Sequence, residues 1–166
     1  MGASLRTTQL GMMKMSLQRL SLFFCLANAV GANDIPDTVR ACLASPGVAY
    51  EVSKKMQPTS LKGDFDGDGK ADYAVAVTRG RAQGVMVCWG TSASPTVLGA
   101  GVPFNDMRDL DFTSWSVHGK TRRVARGMGS GRAPVLSGDA LLLGWESGSG
   151  IVYWNGKRFM WYQQGD

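Results

Sequence analysis

Beyond residue 72 the chain reads as short apolar runs broken by glycine and charge. Tyr73-Ala74-Val75-Ala76-Val77 and Gly84-Val85-Met86-Val87-Cys88-Trp89 are strand-length and rich in valine, which predicts β-strands. Phe112 to Val117 alternates, with Trp115 and Val117 on one side, and Ala140-Leu141-Leu142-Leu143-Gly144-Trp145 is one continuous apolar run. Ile151-Val152-Tyr153-Trp154 and Lys157-Arg158-Phe159-Met160-Trp161-Tyr162 flank Asn155-Gly156, the dipeptide that favours a two-residue type I′ hairpin turn. Only one helix is predicted. Asn33 or Asp34 can cap it, Pro36 suits its first turn, Val39, Cys42 and Leu43 share a face, and Pro46-Gly47 ends it. The expected fold is therefore all-β, mostly an antiparallel meander, with one short N-terminal helix. The stretch Gly127 to Pro134 carries a glycine at every second position up to Gly131 and reads as a loop within the domain, too short to link two.

A chain of 166 residues fits a single domain, and residues 1–32 look unlike the rest of it. Arg6, Lys14 and Arg19 form an acid-free basic segment ahead of an apolar stretch from Leu20 to Val30, and the stretch ends at Gly31-Ala32. This is the pattern of a cleaved secretory signal. The apolar run of about 13 residues is too short for a membrane anchor, and the two phenylalanines before Cys25 do not suit lipidation. The expectation is a signal peptide at 1–32 and a β-rich domain at 33–166, periplasmic or secreted, with no membrane contact after cleavage.

Export changes both the cysteine and the charge arithmetic. Cys42 and Cys88 become the two cysteines of the domain, and an isolated pair in an oxidising compartment is read as a disulfide, with two free thiols as the alternative. Three of the 18 Lys and Arg fall in 1–32, leaving 15 against 13 acids, a net +2. That balance is too mild for a nucleic-acid binder. The basic cluster Lys120, Arg122, Arg123 and Arg126 reads first as a solvated face.

The strongest chemical signal is Asp64-Phe65-Asp66-Gly67-Asp68-Gly69-Lys70-Ala71-Asp72. Calcium takes six to eight oxygens from a loop that glycine allows to bend. Asp64, Asp66 and Asp68 stand at positions 1, 3 and 5, Lys70 offers a carbonyl at position 7, and Asp72 stands at position 9. Position 12 is Val75, not the glutamate of an EF-hand. The alternative is an acidic surface turn without metal, in which four carboxylates repel each other. D-x-D-G-D-G-x-x-D followed by Tyr-Ala-Val-Ala-Val resembles the calcium loops of FG-GAP and related repeats of extracellular β-propellers. That resemblance spans about 15 residues, once, and implies a partial-propeller-like arrangement with structural Ca²⁺.

Catalytic signals are sparse. His118 is the one histidine, no serine lies in a nucleophile-elbow sequence, and Asp106, Asp109 and Asp111 read as loop charges. A non-catalytic binding protein is the reading that remains. In size, compartment and blade-like strands the chain is similar to small exported bacterial proteins, including periplasmic immunity proteins that neutralise a cell-wall amidase delivered by type VI secretion. The resemblance implies an inhibitor that occludes a toxin's active site. Ser114, Trp115, Ser116 and Ser130 are the candidate partner-binding residues. A glycan- or peptidoglycan-binding module using Trp89, Trp115, Trp145, Trp154 and Trp161 is the alternative.

Overall fold

The computed structural model describes residues 35–45, 47–127 and 131–165. The expected signal segment 1–32, the candidate caps Asn33 and Asp34, the helix-ending Pro46, and Ser130 lie outside them. The helix α1 spans Asp37–Leu43 and begins on Pro36, which has extended backbone angles and no side-chain cap. Nine strands follow: β1 Glu51–Val52, β2 Ser60–Gly63, β3 Asp72–Arg79, β4 Ala82–Cys88, β5 Thr96–Gly99, β6 Ser114–His118, β7 Ala140–Trp145, β8 Gly148–Trp154 and β9 Phe159–Gly165. They build two antiparallel sheets. The first is β1-β3-β4-β5, with β2 sharing the β3 edge used by β1, and the second is the meander β6-β7-β8-β9. The all-β class holds.

One core lies between the sheets. Ala74, Ala76, Val85, Val87 and Leu98 of the first meet Trp115, Leu141, Leu143, Val152 and Phe159 of the second, with Phe65, Phe104, Leu110 and Phe112 filling in from loops. The opposite face of the first sheet is also buried: Val75, Val77, Met86 and Cys88 pack with Val39 and Cys42 of α1. Both sides of β3 are therefore dry, which is why Tyr73–Val77 is an uninterrupted apolar run rather than an alternating one. The outer face of the second sheet is covered by the connection between β6 and β7. There Val124, Ala133 and Leu136 pack on Ala140, Leu142, Ile151, Tyr153 and Tyr162.

Cys42 and Cys88 form a disulfide, with Cα atoms 5.9 Å apart. It ties α1 to β4.

Two local expectations change. Phe112 precedes its strand and is a buried loop residue, because β6 starts at Ser114. The Asn155-Gly156 hairpin forms, but Trp154 pairs with Phe159, so the loop has four residues. The Asn155 carboxamide oxygen closes it by accepting the amides of Lys157 and Arg158. The two-residue turn with positive φ at both central positions occurs instead at Asn105 and Asp106 (φ 49° and 65°), between the doubly bonded Phe104 and Met107. Asn and Asp tolerate this region better than other side chains.

Candidate metal centre

The loop between β2 and β3 starts from a strand end and returns into β3 at Asp72, which pairs with Gly63, so its two ends are held about 5 Å apart, the spacing of paired strands. Positive φ at Gly67 and Gly69 (83° and 84°) bends the chain between them. The bend brings one carboxylate oxygen each from Asp64, Asp66 and Asp72 within 4.8 Å of one another. Ligand oxygens around one calcium, each about 2.4 Å from the ion, are separated by no more than about 5 Å. The three carboxylates could hold a metal ion.

Asp72 is the anchor. Its side chain is 1% exposed. One oxygen accepts the Phe65 amide at 2.9 Å and the other the Gly90 amide at 2.8 Å. Each carboxylate oxygen keeps a further lone pair. Burial pushes the Asp72 carboxyl above the usual range, and the charges of Asp66 and Asp68 push the same way, against the two amides. Asp64 behaves differently. Burial acts to raise it, but hydrogen bonding and charge from Lys120, with help from the amides of Gly69 and Gly67, hold it below the usual range. The Lys120 ammonium lies 3.0 Å from Asp64 Oδ2. Asp64 Oδ1 is buried with no hydrogen-bond partner, which is costly unless something positive meets it.

Asp68 stands outside the convergent group. It is exposed, its Oδ1 accepts the Lys70 amide at 2.7 Å, and its own amide is held by Asp66 Oδ1 at 3.1 Å. These bonds shape the loop. The structure thus gathers three of the four predicted aspartates and uses the fourth to hold the turn.

Two residues that the sequence did not link to the loop complete the centre: Asp139, and Lys120, which was expected on a solvated basic face and instead pairs with Asp64. Asp139, just before β7, accepts the Asp64 amide on Oδ2 and the Lys120 amide on Oδ1, while its own amide donates to the Asp64 carbonyl. The metal loop of the first sheet is clasped to the second. Gly67 and Gly138 make the approach possible, since a Cβ on Gly67 would lie 2.6 Å from the Ser137 carbonyl and one on Gly138 2.5 Å from that of Asp64. Nothing local in the sequence links position 64 to 139.

The other candidates separate. Ser114 and Ser116 are exposed on β6 and, with Glu146, Ser147 and Ser149, line a groove of about 450 Å³. Trp115 is a correction: it is 7% exposed, its ring packs in the inter-sheet core near Phe112, and its indole N–H donates to the Pro58 carbonyl. An indole held there cannot protrude as an anchor, because alternation along β6 sends residue 115 inward when 114 and 116 face out. His118 is buried, with Nε2 3.3 Å from the Arg122 carbonyl. Asp109, read as a loop charge, accepts the Gln83 amide at 2.8 Å, and buried Gln83 in turn donates to the Phe112 carbonyl. Compared with protein-family models, curated proteins and solved structures, the chain finds no match in any of the three.

Proposed function

We propose that the chain is an exported, calcium-pinned, non-catalytic binding domain, of the kind that occludes the active site of a secreted cell-wall-degrading toxin. The observation that carries this reading is the clasp at the metal centre. Asp72 bonds to Gly90 at the end of the first sheet, and Asp64 bonds to Asp139 at the start of the second. A cation held by Asp64, Asp66 and Asp72 would stiffen the junction of both sheets, and calcium suits an all-oxygen donor set. A frame stiffened by an ion and a disulfide loses little entropy when it binds another protein. Ser114 and Ser116 in their groove offer hydroxyls to such a partner.

The experiment uses the exported protein with and without calcium. It should bind a secreted wall-degrading effector of the same cell, abolish its activity at one-to-one stoichiometry and turn over nothing itself. A deletion strain should become sensitive to siblings armed with that effector. Normal survival of the deletion strain against every such sibling overturns the reading.

A second reading has one observation in its favour. A cleft of about 640 Å³ is lined by Trp154, Phe159, Asn105, Asp106, Lys157 and Arg158, an aromatic and polar mixture that suits a glycan. The tryptophans, however, pack edge-to-face, Trp89 on Trp154 at 67° and Trp145 on Trp161 at 77°. The near-parallel pair, Trp89 and Phe159, includes a ring that is only 6% exposed. Titration with soluble peptidoglycan fragments separates the two readings: saturable binding that Trp154→Ala removes would favour the glycan module.

A further inference from the structure

The connection between β6 and β7 combines unusual length with an unusual charge. It runs from Gly119 to Asp139, longer than most connections between elements, and its described residues hold no helix or strand. Residues 112–138 hold no acid and five cations, Lys120, Arg122, Arg123, Arg126 and Arg132. The remainder of 33–166 carries ten Lys and Arg against thirteen acids, a net −3. All the positive excess of the domain is therefore concentrated in one stretch.

The cations are held, not scattered. Val124, Ala133 and Leu136 fix the connection to the second sheet, and the Tyr162 hydroxyl lies 3.5 Å from the Gly131 carbonyl. Between these anchors Arg123, Arg126 and Arg132 line a concavity of about 350 Å³ floored by Val124 and Ala133. Lys120 is committed to Asp64. Arg122, Arg123, Arg126 and Arg132 are exposed and meet no carboxylate among the described residues. Three guanidinium groups around one hollow repel each other until an oxyanion enters, and guanidinium pairs with carboxylate through two parallel hydrogen bonds.

We infer that this hollow docks a carboxylate-bearing loop of a protein partner. Two observations favour protein over an extended polyanion. A nucleic acid needs a continuous basic face, whereas the rest of the domain, taken as a whole, carries more acids than cations. Val135, three residues from Arg132, is 90% exposed and is the one large apolar side chain left in solvent among the described residues. Acidic and apolar groups side by side are a feature of protein surfaces, and exposed apolar residues beside arginine mark interface centres more than anion traps. The inference deepens the reading of the chain as a protein-binding domain and rests on it.

The test selects short random peptides displayed on phage against the exported full chain at low salt. Peptides carrying Asp or Glu beside an apolar residue should be enriched. Synthesised winners should bind R123Q/R126Q/R132Q at least about tenfold more weakly, three exposed ion pairs being removed, and V135S a few-fold more weakly. Both variants change exposed side chains, and unchanged melting curves confirm that each is folded. Winners without acids, or winners held equally by the triple variant, overturn the inference. So does tighter binding of oligo-dT or of inorganic phosphate than of the peptide, read by competition, which would assign the hollow to nucleic acid or to a free oxyanion. Effector inhibition is read separately. If the triple variant still inhibits while losing the acidic peptides, the binding-domain reading stands and the hollow is not its docking site. Arginine-dependent peptide binding without any effector inhibition sinks the inhibitor reading alone.

Discussion

Both sheets must hide an outer face, and they do so by opposite means. The first is covered by seven helical residues locked through Cys42–Cys88. The second is covered by an irregular connection held by Val124, Ala133 and Leu136, with no covalent tie. A helix satisfies its own backbone and needs one good anchor. An irregular cover must find each contact separately, and it leaves polar side chains free to point outward. The difference separates two kinds of cover: the covalent one is a brace, and the non-covalent one carries exposed arginines.

Removing the brace should have the largest effect. Cys42→Ser with Cys88→Ser should lower unfolding free energy by about 4 kcal/mol, because a loop of nearly fifty residues is no longer closed in the unfolded chain. Urea melts read this directly. A loss no greater than that of Val124→Ala would erase the contrast between the covers.

Next is the centre that joins the sheets. Asp72→Ala leaves the Phe65 and Gly90 amides unpaired in a buried place, costing about 3 kcal/mol without any metal. It should also remove the stabilisation by calcium that the proposed function predicts for the unaltered chain, about 2.7 kcal/mol at a hundredfold excess over Kd. Asp68→Ala should retain most of that stabilisation, since Asp68 lies outside the convergent carboxylates. Equal loss in both variants would show that Asp68 ligates as well.

Val124→Ala opens a cavity under the non-covalent cover and should cost roughly 2 kcal/mol. Hydrogen exchange should speed up in β7–β9 and not in α1. Uniform loss of protection would mean that the two covers are not independent.

The smallest effect is on pH. Asp72 is raised above its ordinary value, so without calcium its charge costs stability at neutral pH, and that cost is relieved only as pH falls through the raised folded value toward the ordinary one. Asp64 is lowered. Its contribution is present above the ordinary carboxylate range and lost only as pH falls through its still lower folded value. With calcium the carboxylates must stay charged, so the calcium-induced shift should shrink as the solution is made mildly acidic. A shift that is constant with pH argues for a cation held elsewhere.

Much of the frame was legible because it depends on local pattern. Runs as dense as Tyr73–Val77 and Ala140–Trp145 left no other reading than buried strand. β1, β2 and β5 were not legible: two to four residues are too few to show a period, and their pairing partners supply what their sequences lack. At the centre, spacing identified the loop and three of its convergent carboxylates. It did not reveal that Asp68 serves the turn, nor that Asp139 and Lys120 close the site, because a residue 75 positions away leaves no trace in local spacing. Trp115 misled for a related reason. Its serine neighbours look like a loop tip, yet they are the outward half of a strand whose inward half is the core.

The glycine contact at the clasp bears on how this domain can vary. Gly67 and Gly138 each face main-chain atoms of the other's segment, so enlarging one cannot be relieved by shrinking a side chain opposite. Gly69 and Gly156 also have positive φ but open space around them, and asparagine can stand there at modest cost. In a saturation library selected for folding, positions 67 and 138 should therefore be closed to every substitution, singly and together, while 69 and 156 accept asparagine. The seam between the sheets is the part of this molecule with the least freedom to drift.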